Sequence, residues 1–212
     1  MFLVYFAGEL FSLKHLVGNA ALAEAIANLS NRNFTCVLPQ TLEEREMSAQ
    51  DIRDKDISTL IGCDLALFNF DGPELDSGTV AEFMFAKFAD IPSLLLRTDF
   101  RRAGDQAEDP WNLMMSFYPR TRTLCLNSME IYKRARNKGT NPMKAGENLV
   151  EEVAEAVVTE LEILSKLAPT IPNELSEAVF RWLGKMPGFN SPENGEKVMA
   201  ALERKKANRL LS

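Results

Sequence analysis

The sequence has few of the residues that build disulfide frameworks or histidine-based metal sites. It contains three cysteines and one histidine among 212 residues. Cys36, Cys63 and Cys125 lie far apart and form no CxxC pair, so we predict reduced, buried thiols in a cytoplasmic protein. With His15 as the only histidine, a histidine-based metal site is not expected.

Long apolar runs, an excess of basic residues and phosphate-binding motifs are also missing. No apolar stretch reaches the roughly 18 residues that a membrane helix needs, and the apolar N-terminus lacks the basic segment of a signal peptide. The 24 basic and 30 acidic residues give a formal net charge of −6, which argues against non-specific binding of nucleic acid or anionic membranes. Neither a GxGxxG fingerprint nor a P-loop occurs, so dinucleotide and nucleoside triphosphate sites lack support.

Short apolar runs alternate with helical segments in the first part of the chain. The runs cover residues 2–7, 34–39, 64–70, 91–98 and, more weakly, 121–126. Apolar residues recur at helical spacing over residues 15–29, 49–61 and 79–89. Continuous apolar strands separated by helices indicate a parallel sheet covered on both faces. We therefore predict a doubly wound α/β fold, flavodoxin-like or Rossmann-like, with about five strands.

The last third of the chain shows helical spacing without strand-like runs. Helices are predicted over residues 147–168, 173–183 and 192–211. We therefore predict an α/β domain over residues 1–140 and an α-helical extension over residues 145–212. The sequence leaves the role of the extension open.

An acidic loop after the third apolar run carries the strongest chemical signal. It has the sequence Asp71-Gly-Pro-Glu-Leu-Asp76-Ser-Gly-Thr-Val-Ala-Glu82, and it follows the carboxyl end of a predicted strand, where ligands bind in such folds. We expect Glu82 in about the first turn of the next helix, where the helix dipole favours an ionised carboxylate. Such a carboxylate can act as a nucleophile toward a sugar anomeric carbon, with Asp76 holding a sugar hydroxyl.

A purely structural interpretation fits the same residues. Thr79 and Glu82 have the spacing of a capping box, in which the Glu82 side chain satisfies a backbone N–H group. Asp71 and Gly72 fit a simple turn. Spacing alone does not decide between the catalytic and the structural interpretation.

The acidic loop resembles that of the nucleoside 2-deoxyribosyltransferases. The pattern D-G-x-x-x-D-S-G-T-x-x-E is joined by four further similarities, in order, over about residues 2–130. They are Val4-Tyr5-Phe6-Ala7-Gly8 followed by Phe11, Val37-Leu38-Pro39-Gln40, Asp56 eight residues before Asp64, and Pro110-Trp111-Asn112-Leu113-Met114. The resemblance implies an enzyme that exchanges bases on 2′-deoxyribose.

The resemblance implies that configuration is retained through a double displacement. Glu82 matches the nucleophile, which attacks C1′ of a 2′-deoxynucleoside and forms a deoxyribosyl ester that a second base displaces. Asp76 matches the sugar-binding aspartate, and Asp56 matches an aspartate that handles the proton of the leaving base. Tyr5 matches a tyrosine that contacts the nucleophile and tunes it. No metal or organic cofactor is required for this chemistry.

The resemblance also implies substrate-binding residues and a homo-oligomer with shared active sites. Phe11 would line the base pocket and Gln40 would contact the base edge, while Asn112 and Met114 would reach the 5′-hydroxyl end from a neighbouring subunit. The other implied substrate-binding residues are Gly8, Asp71 and Gly78. The partners would be a 2′-deoxynucleoside and a free nucleobase, in nucleotide salvage, and neither nucleic acid nor a membrane.

Two other functions stay open at this point. With water in place of the second base, the protein would be an N-glycosidase of nucleosides or of deoxynucleoside 5′-monophosphates, although Gly8-Glu9-Leu10-Phe11 is no phosphate cradle. Without catalysis, it would be a nucleoside-binding module whose helical extension recruits a partner. The sequence also leaves open purine or pyrimidine preference, oligomer size, and whether the charged segment 99–109 is a lid or a solvated loop.

Overall fold

A computed structural model describes residues 1–42, 46–101, 111–208 and 210–211 of the chain. The strands are β1 Phe2–Ala7, β2 Phe34–Val37, β3 Leu65–Asn69, β4 Ser93–Arg97 and β5 Thr121–Cys125. The helices are α1 Leu13–Leu29, α2 Ala49–Gly62, α3 Ser77–Phe88, α4 Ser128–Asn137, α5 Pro142–Leu164, α6 Asn173–Leu183 and α7 Pro192–Ala207. Two short 3₁₀ turns lie at Pro39–Thr41 and Leu113–Met115.

The five strands form one parallel sheet in the order β2-β1-β3-β4-β5. This order and the helices on both faces confirm the predicted doubly wound, flavodoxin-like α/β fold. The chain leaves β1 toward one side of the sheet and reaches β4 and β5 on the other. The strand order therefore reverses between β1 and β3, and ligands of such folds bind beyond the carboxyl ends of the strands at this point.

Alternation along β1 decides which side chains face each helical layer. Tyr5 and Ala7 belong to the core that also contains residues of α2 and α3, whereas Val4 and Phe6 belong to the core beneath α1 and α5. Successive side chains of a strand point to opposite faces of the sheet. Tyr5 therefore lies on the same side of the sheet as α3.

The C-terminal helices pack on both faces of the sheet. Val157 of α5 lies in the core beneath α1, and Phe180 of α6 and Leu202 of α7 lie in the core beneath α2 and α3. The helices beyond the predicted boundary at residues 140–145 thus share both cores with the sheet, and the division into two domains stays a prediction. Within the described ranges, no helix combines the length and the apolarity that crossing a membrane requires.

Several details differ from the sequence-based expectations. Cys63 is buried, but Cys36 is only half-buried and Cys125 is exposed. Cys36 lies on β2 and Cys125 on β5, the two edge strands of the sheet, which have a neighbouring strand on one side only. The sequence patterns do not predict α4, because only Ile131 and Ala135 of this helix are buried and its apolar pattern is sparse. Most of the charged segment 99–109, from position 102 onward, lies outside the described residues. Whether this segment is a lid or a solvated loop stays a prediction.

Candidate functional site

A cavity of about 350 Å³ opens at the carboxyl edge of the sheet, on the face covered by α2 and α3. Its walls come from the loop after β1, the start of the 3₁₀ turn after β2, one side of α2 and the first turns of α3. The predicted site residues that line it are Gly8, Phe11, Asp56, Asp76, Gly78 and Glu82. Segments distant in sequence thus meet where the strand order reverses.

Tyr5 supports the Glu82 carboxylate from beneath the cavity. Its hydroxyl donates a hydrogen bond of 2.6 Å to Oε1 of Glu82. Tyr5 is fully buried, and burial, followed by the negative charges of Glu82 and Asp56, raises its pKa well above the usual value. The phenol therefore stays protonated and remains a hydrogen-bond donor at all physiological pH values.

Burial decides the protonation of Glu82. It raises the pKa of this carboxyl to about 7; the Tyr5 hydrogen bond opposes this rise, and the charges of Asp56 and Asp76 add to it. The sequence pattern predicts Glu82 in about the first turn of this helix. Because Ser77 is the first residue of α3, Glu82 lies in the second turn. The helix dipole acts mainly within the first turn. Burial therefore outweighs it, and neutral pH populates both forms of Glu82.

Asp76, and not Thr79, caps α3. Its Oδ2 accepts hydrogen bonds from the backbone N–H of Thr79 at 2.7 Å and from its hydroxyl at 2.8 Å. The capping-box interpretation of Thr79 and Glu82 is therefore wrong, because Glu82 binds Tyr5 instead. A Cβ atom at Gly78 would lie 3.2 Å from Oδ2 of Asp76, so a larger residue there would crowd the cap and the cavity wall.

Asp56 completes a group of three carboxylates around the cavity. It lies on α2 and lines the wall with Asp76 and Glu82. Its charge raises the pKa of both Tyr5 and Glu82, so it acts electrostatically on the pair. The sequence analysis missed Arg53, which lines the same cavity. Its position three residues before Asp56, on the same side of a predicted helix, is the signal that would have identified it.

Four predicted substrate-binding residues lie outside the lining of this cavity, and two of them, Asp71 and Gln40, bind other parts of the chain. Asp71 accepts hydrogen bonds from the Thr98 backbone N–H at 2.6 Å, the Thr98 hydroxyl at 2.7 Å and the Asp99 N–H at 2.8 Å. It thereby ties the loop after β3 to the end of β4. Gln40 donates from Nε2 to the Leu16 carbonyl at 3.1 Å. Their contacts with a substrate stay predictions.

Asn112 and Met114 lie on the surface, away from the cavity of their own chain. The Asn112 side chain accepts a hydrogen bond of 2.9 Å from the Met114 N–H and caps a 3₁₀ turn. Met114 is 67% exposed, and the nearby Phe117 is 84% exposed. The predicted contact of Asn112 and Met114 with the substrate of a neighbouring subunit stays a prediction.

The chemistry that these residues offer is that of carboxylates beside a phenol. In the parts of the chain that the structure describes, no group of three or more His, Cys, Asp or Glu side chains is arranged to hold a metal ion. Glu82 can serve as a nucleophile once it is ionised, and a second carboxylic acid can transfer a proton. Such pairs act on glycosidic bonds.

Comparisons with known families and structures bear on this site. The family model described as nucleoside 2-deoxyribosyltransferase matches residues 4–114, a segment that contains Tyr5, Asp56, Asp76 and Glu82. No curated protein matches the sequence.

Solved structures also match the chain. A conserved protein from Enterococcus faecalis has 24% identity and a TM-score of 0.48, covering 77% of this chain and 98% of its own. A 2-desoxiribosyltransferase from Leishmania mexicana has 22% identity and a TM-score of 0.48, covering 61% and 93%. A CMP N-glycosidase from Clostridium botulinum has 15% identity and a TM-score of 0.41, covering 64% and 98%.

Proposed function

Because the chain belongs to the nucleoside 2-deoxyribosyltransferase family, we propose that it exchanges nucleobases on 2′-deoxyribonucleosides through an ester on Glu82. The observation that carries this proposal is the hydrogen bond of 2.6 Å from Tyr5 to Glu82 at a cavity that Asp56 and Asp76 also line.

In the first half of the reaction, an ionised Glu82 oxygen attacks C1′ of the bound nucleoside. The C1′–N bond breaks, its electron pair goes to the base, and Asp56 supplies a proton to the departing base. Deoxyribose has no electron-withdrawing 2′-hydroxyl, so its C1′ readily takes on oxocarbenium character. The nearby carboxylate stabilises that positive charge before and after the ester forms.

In the second half, a nitrogen of another base attacks C1′ and the ester bond to Glu82 breaks. Asp56 accepts the proton that the incoming base loses. Two inversions at C1′ retain the configuration. Asp76 uses Oδ2 to cap α3, so Oδ1 is the oxygen that we assign to a sugar hydroxyl.

Base exchange is tested directly with the purified protein. Incubation with a 2′-deoxynucleoside and a different free base should yield the new deoxynucleoside, which chromatography resolves from the starting material. Equal release of free base and deoxyribose, whether or not a second base is added, would contradict the transferase and indicate an N-glycosidase. A parallel incubation with the 5′-monophosphate would show which substrate such a hydrolase prefers. Binding of the deoxynucleoside over hours without release of base would contradict both enzymes.

The pH profile of the exchange should report the ionisation of Glu82. On its acidic side, the profile should rise with pH, with a midpoint near the Glu82 pKa of about 7. The Tyr5 hydrogen bond lowers this pKa, so its removal by Tyr5→Phe should move the acidic limb to higher pH. The variant should therefore lose more activity at pH 6 than at pH 9. An unmoved limb would mean that another group controls the profile.

A further inference from the structure

Arg53 is the only cation among the described residues that line the candidate active-site cavity. The other charged residues in that lining are the carboxylates Asp56, Asp76 and Glu82. Arg53 precedes Asp56 by three positions on α2, so both side chains project from the same side of the helix. A single positive charge thus lies in a lining whose other charged residues are negative.

Two nitrogens of the Arg53 guanidinium are hydrogen-bonded to other residues of the chain, and the third is available to a ligand. Nε donates to Oδ1 of Asp54 at 2.9 Å, and Nη2 contacts the same oxygen. Nη2 also donates to the Gly188 carbonyl at 3.3 Å. Nη1 makes no hydrogen bond within the described parts of the chain, and the side chain is 47% exposed. Two N–H donors are therefore free to meet a ligand.

The segment between α6 and α7 holds Asp54 in place. Its side chain is fully buried, and Oδ2 accepts a hydrogen bond of 2.6 Å from the Asn190 N–H. The Asn190 side chain donates to Asp51 at 3.1 Å. The turn between α6 and α7 is thereby hydrogen-bonded to α2 beside Arg53, so it helps to hold the helix that forms one wall of the cavity.

Breaking the C1′–N bond places an electron pair on the departing base, and a cation near that base lowers the energy of the developing negative charge. Resting on the function proposed above, we propose that Arg53 is a further catalytic residue, which donates from Nη1 to the departing nucleobase. Asp54 and the turn between α6 and α7 act as positioning elements. Arg53 keeps its protons; the base leaves with the electron pair of the broken bond and takes its proton from Asp56.

Leaving groups of different acidity provide the test. Arg53→Ala should slow cleavage of deoxynucleosides whose bases are weakly acidic by about ten- to hundredfold. It should have a much smaller effect with strongly acidic, halogenated bases, because these tolerate negative charge unaided. Arg53→Lys should restore part of the lost rate. The control is Arg181→Ala on α6, since Arg181 pairs with Glu177 on the surface, and it should leave every rate unchanged.

Asp54→Asn tests the positioning role. It should show the same dependence on base acidity as Arg53→Ala, and the double variant should be no slower than Arg53→Ala alone. Additive losses would place Asp54 outside this arrangement. If the buried substitution prevents folding, the Arg53 series decides by itself.

The outcomes separate this proposal from the function on which it rests. Active wild-type protein with an Arg53→Ala loss that is absent, or equal for all bases, would overturn the role of Arg53 and keep the exchange reaction. Wild-type protein without any exchange would overturn the proposed function itself.

Discussion

Glu82→Gln should lower base exchange by about a thousandfold or more, because the amide cannot form the deoxyribosyl ester. The shape of the residue and its place above Tyr5 are preserved, so substrate binding should change little. Chromatographic rates of exchange, measured over a range of deoxynucleoside concentrations, should show the loss in kcat. Turnover close to that of the wild type would remove Glu82 from the role of nucleophile.

The covalent intermediate offers a second readout of the same change. A 2′-fluoro sugar analogue slows the breakdown of glycosyl esters, because fluorine destabilises positive charge at C1′. Wild-type protein should therefore gain the mass of the sugar on the peptide that contains position 82, and Glu82→Gln should gain none. A label on another carboxylate of the cavity would transfer the nucleophilic role to that residue.

Stability measurements show whether Glu82→Gln keeps its fold. The Glu82 pKa is raised from 4.5 to about 7 in the folded protein, so the folded state binds the proton more tightly than the unfolded state. The contribution of Glu82 to stability therefore falls as pH rises from about 4.5 to 7. The variant should resist urea better than the wild type at pH 8, and this advantage should shrink at pH 5. If Glu82→Gln were less stable than the wild type at both pH values, its loss of activity would be explained by a damaged fold.

Asp90→Asn should destabilise the protein by about 3 kcal/mol or more, because it leaves the buried Arg120 guanidinium without a counter-charge. Asp90 pairs with Arg120 at 3.0 Å, and its side chain is only 5% exposed. It also accepts hydrogen bonds from the Thr170 N–H at 2.7 Å and hydroxyl at 2.6 Å. The network joins the connection between α3 and β4 to the segment that precedes α6, so its loss should loosen the C-terminal helices.

The measurement is the urea midpoint, read with the slope of the transition. Asn is nearly isosteric with Asp and tolerates the positive φ of 53° at position 90, so neither a cavity nor backbone strain should explain a loss. Glu177→Gln is the control: it breaks the exposed pair with Arg181 and should leave the midpoint unchanged. Equal midpoints for all three proteins would show that the Asp90–Arg120 pair does not stabilise the fold.

The order and the type of the elements were predictable because both follow from local patterns. Strands buried on both faces must be largely apolar, and residues 2–7 and 65–68 meet that requirement. The weak points have physical reasons as well. Charged residues alternate with apolar ones in α4, and only Ile131 and Ala135 of this helix are buried, so its apolar pattern is too sparse to identify.

The acidic loop shows how far spacing carries a functional prediction. The spacing of the motif allowed both a catalytic and a capping interpretation of Glu82. The hydrogen bond from Tyr5, which lies 77 positions away in sequence, excluded the capping interpretation. The same loop contains Asp71, whose hydrogen bonds hold Thr98 and Asp99. Glu82 and Asp71 are both acidic residues that follow the buried strand β3. Only their orientation distinguishes a side chain that faces the cavity from one that ties the backbone.

The sequence by itself determined the parallel α/β architecture and the acidic pattern that marks the family, because periodicity and motif spacing are properties of neighbouring residues. The tertiary structure alone decided which carboxylates share a cavity, that Glu82 titrates near neutral pH, and that Arg53 is held by Asp54 and Gly188. Burial and charge proximity depend on segments more than a hundred positions apart, such as Asp54 and Asn190. No local pattern encodes such distances.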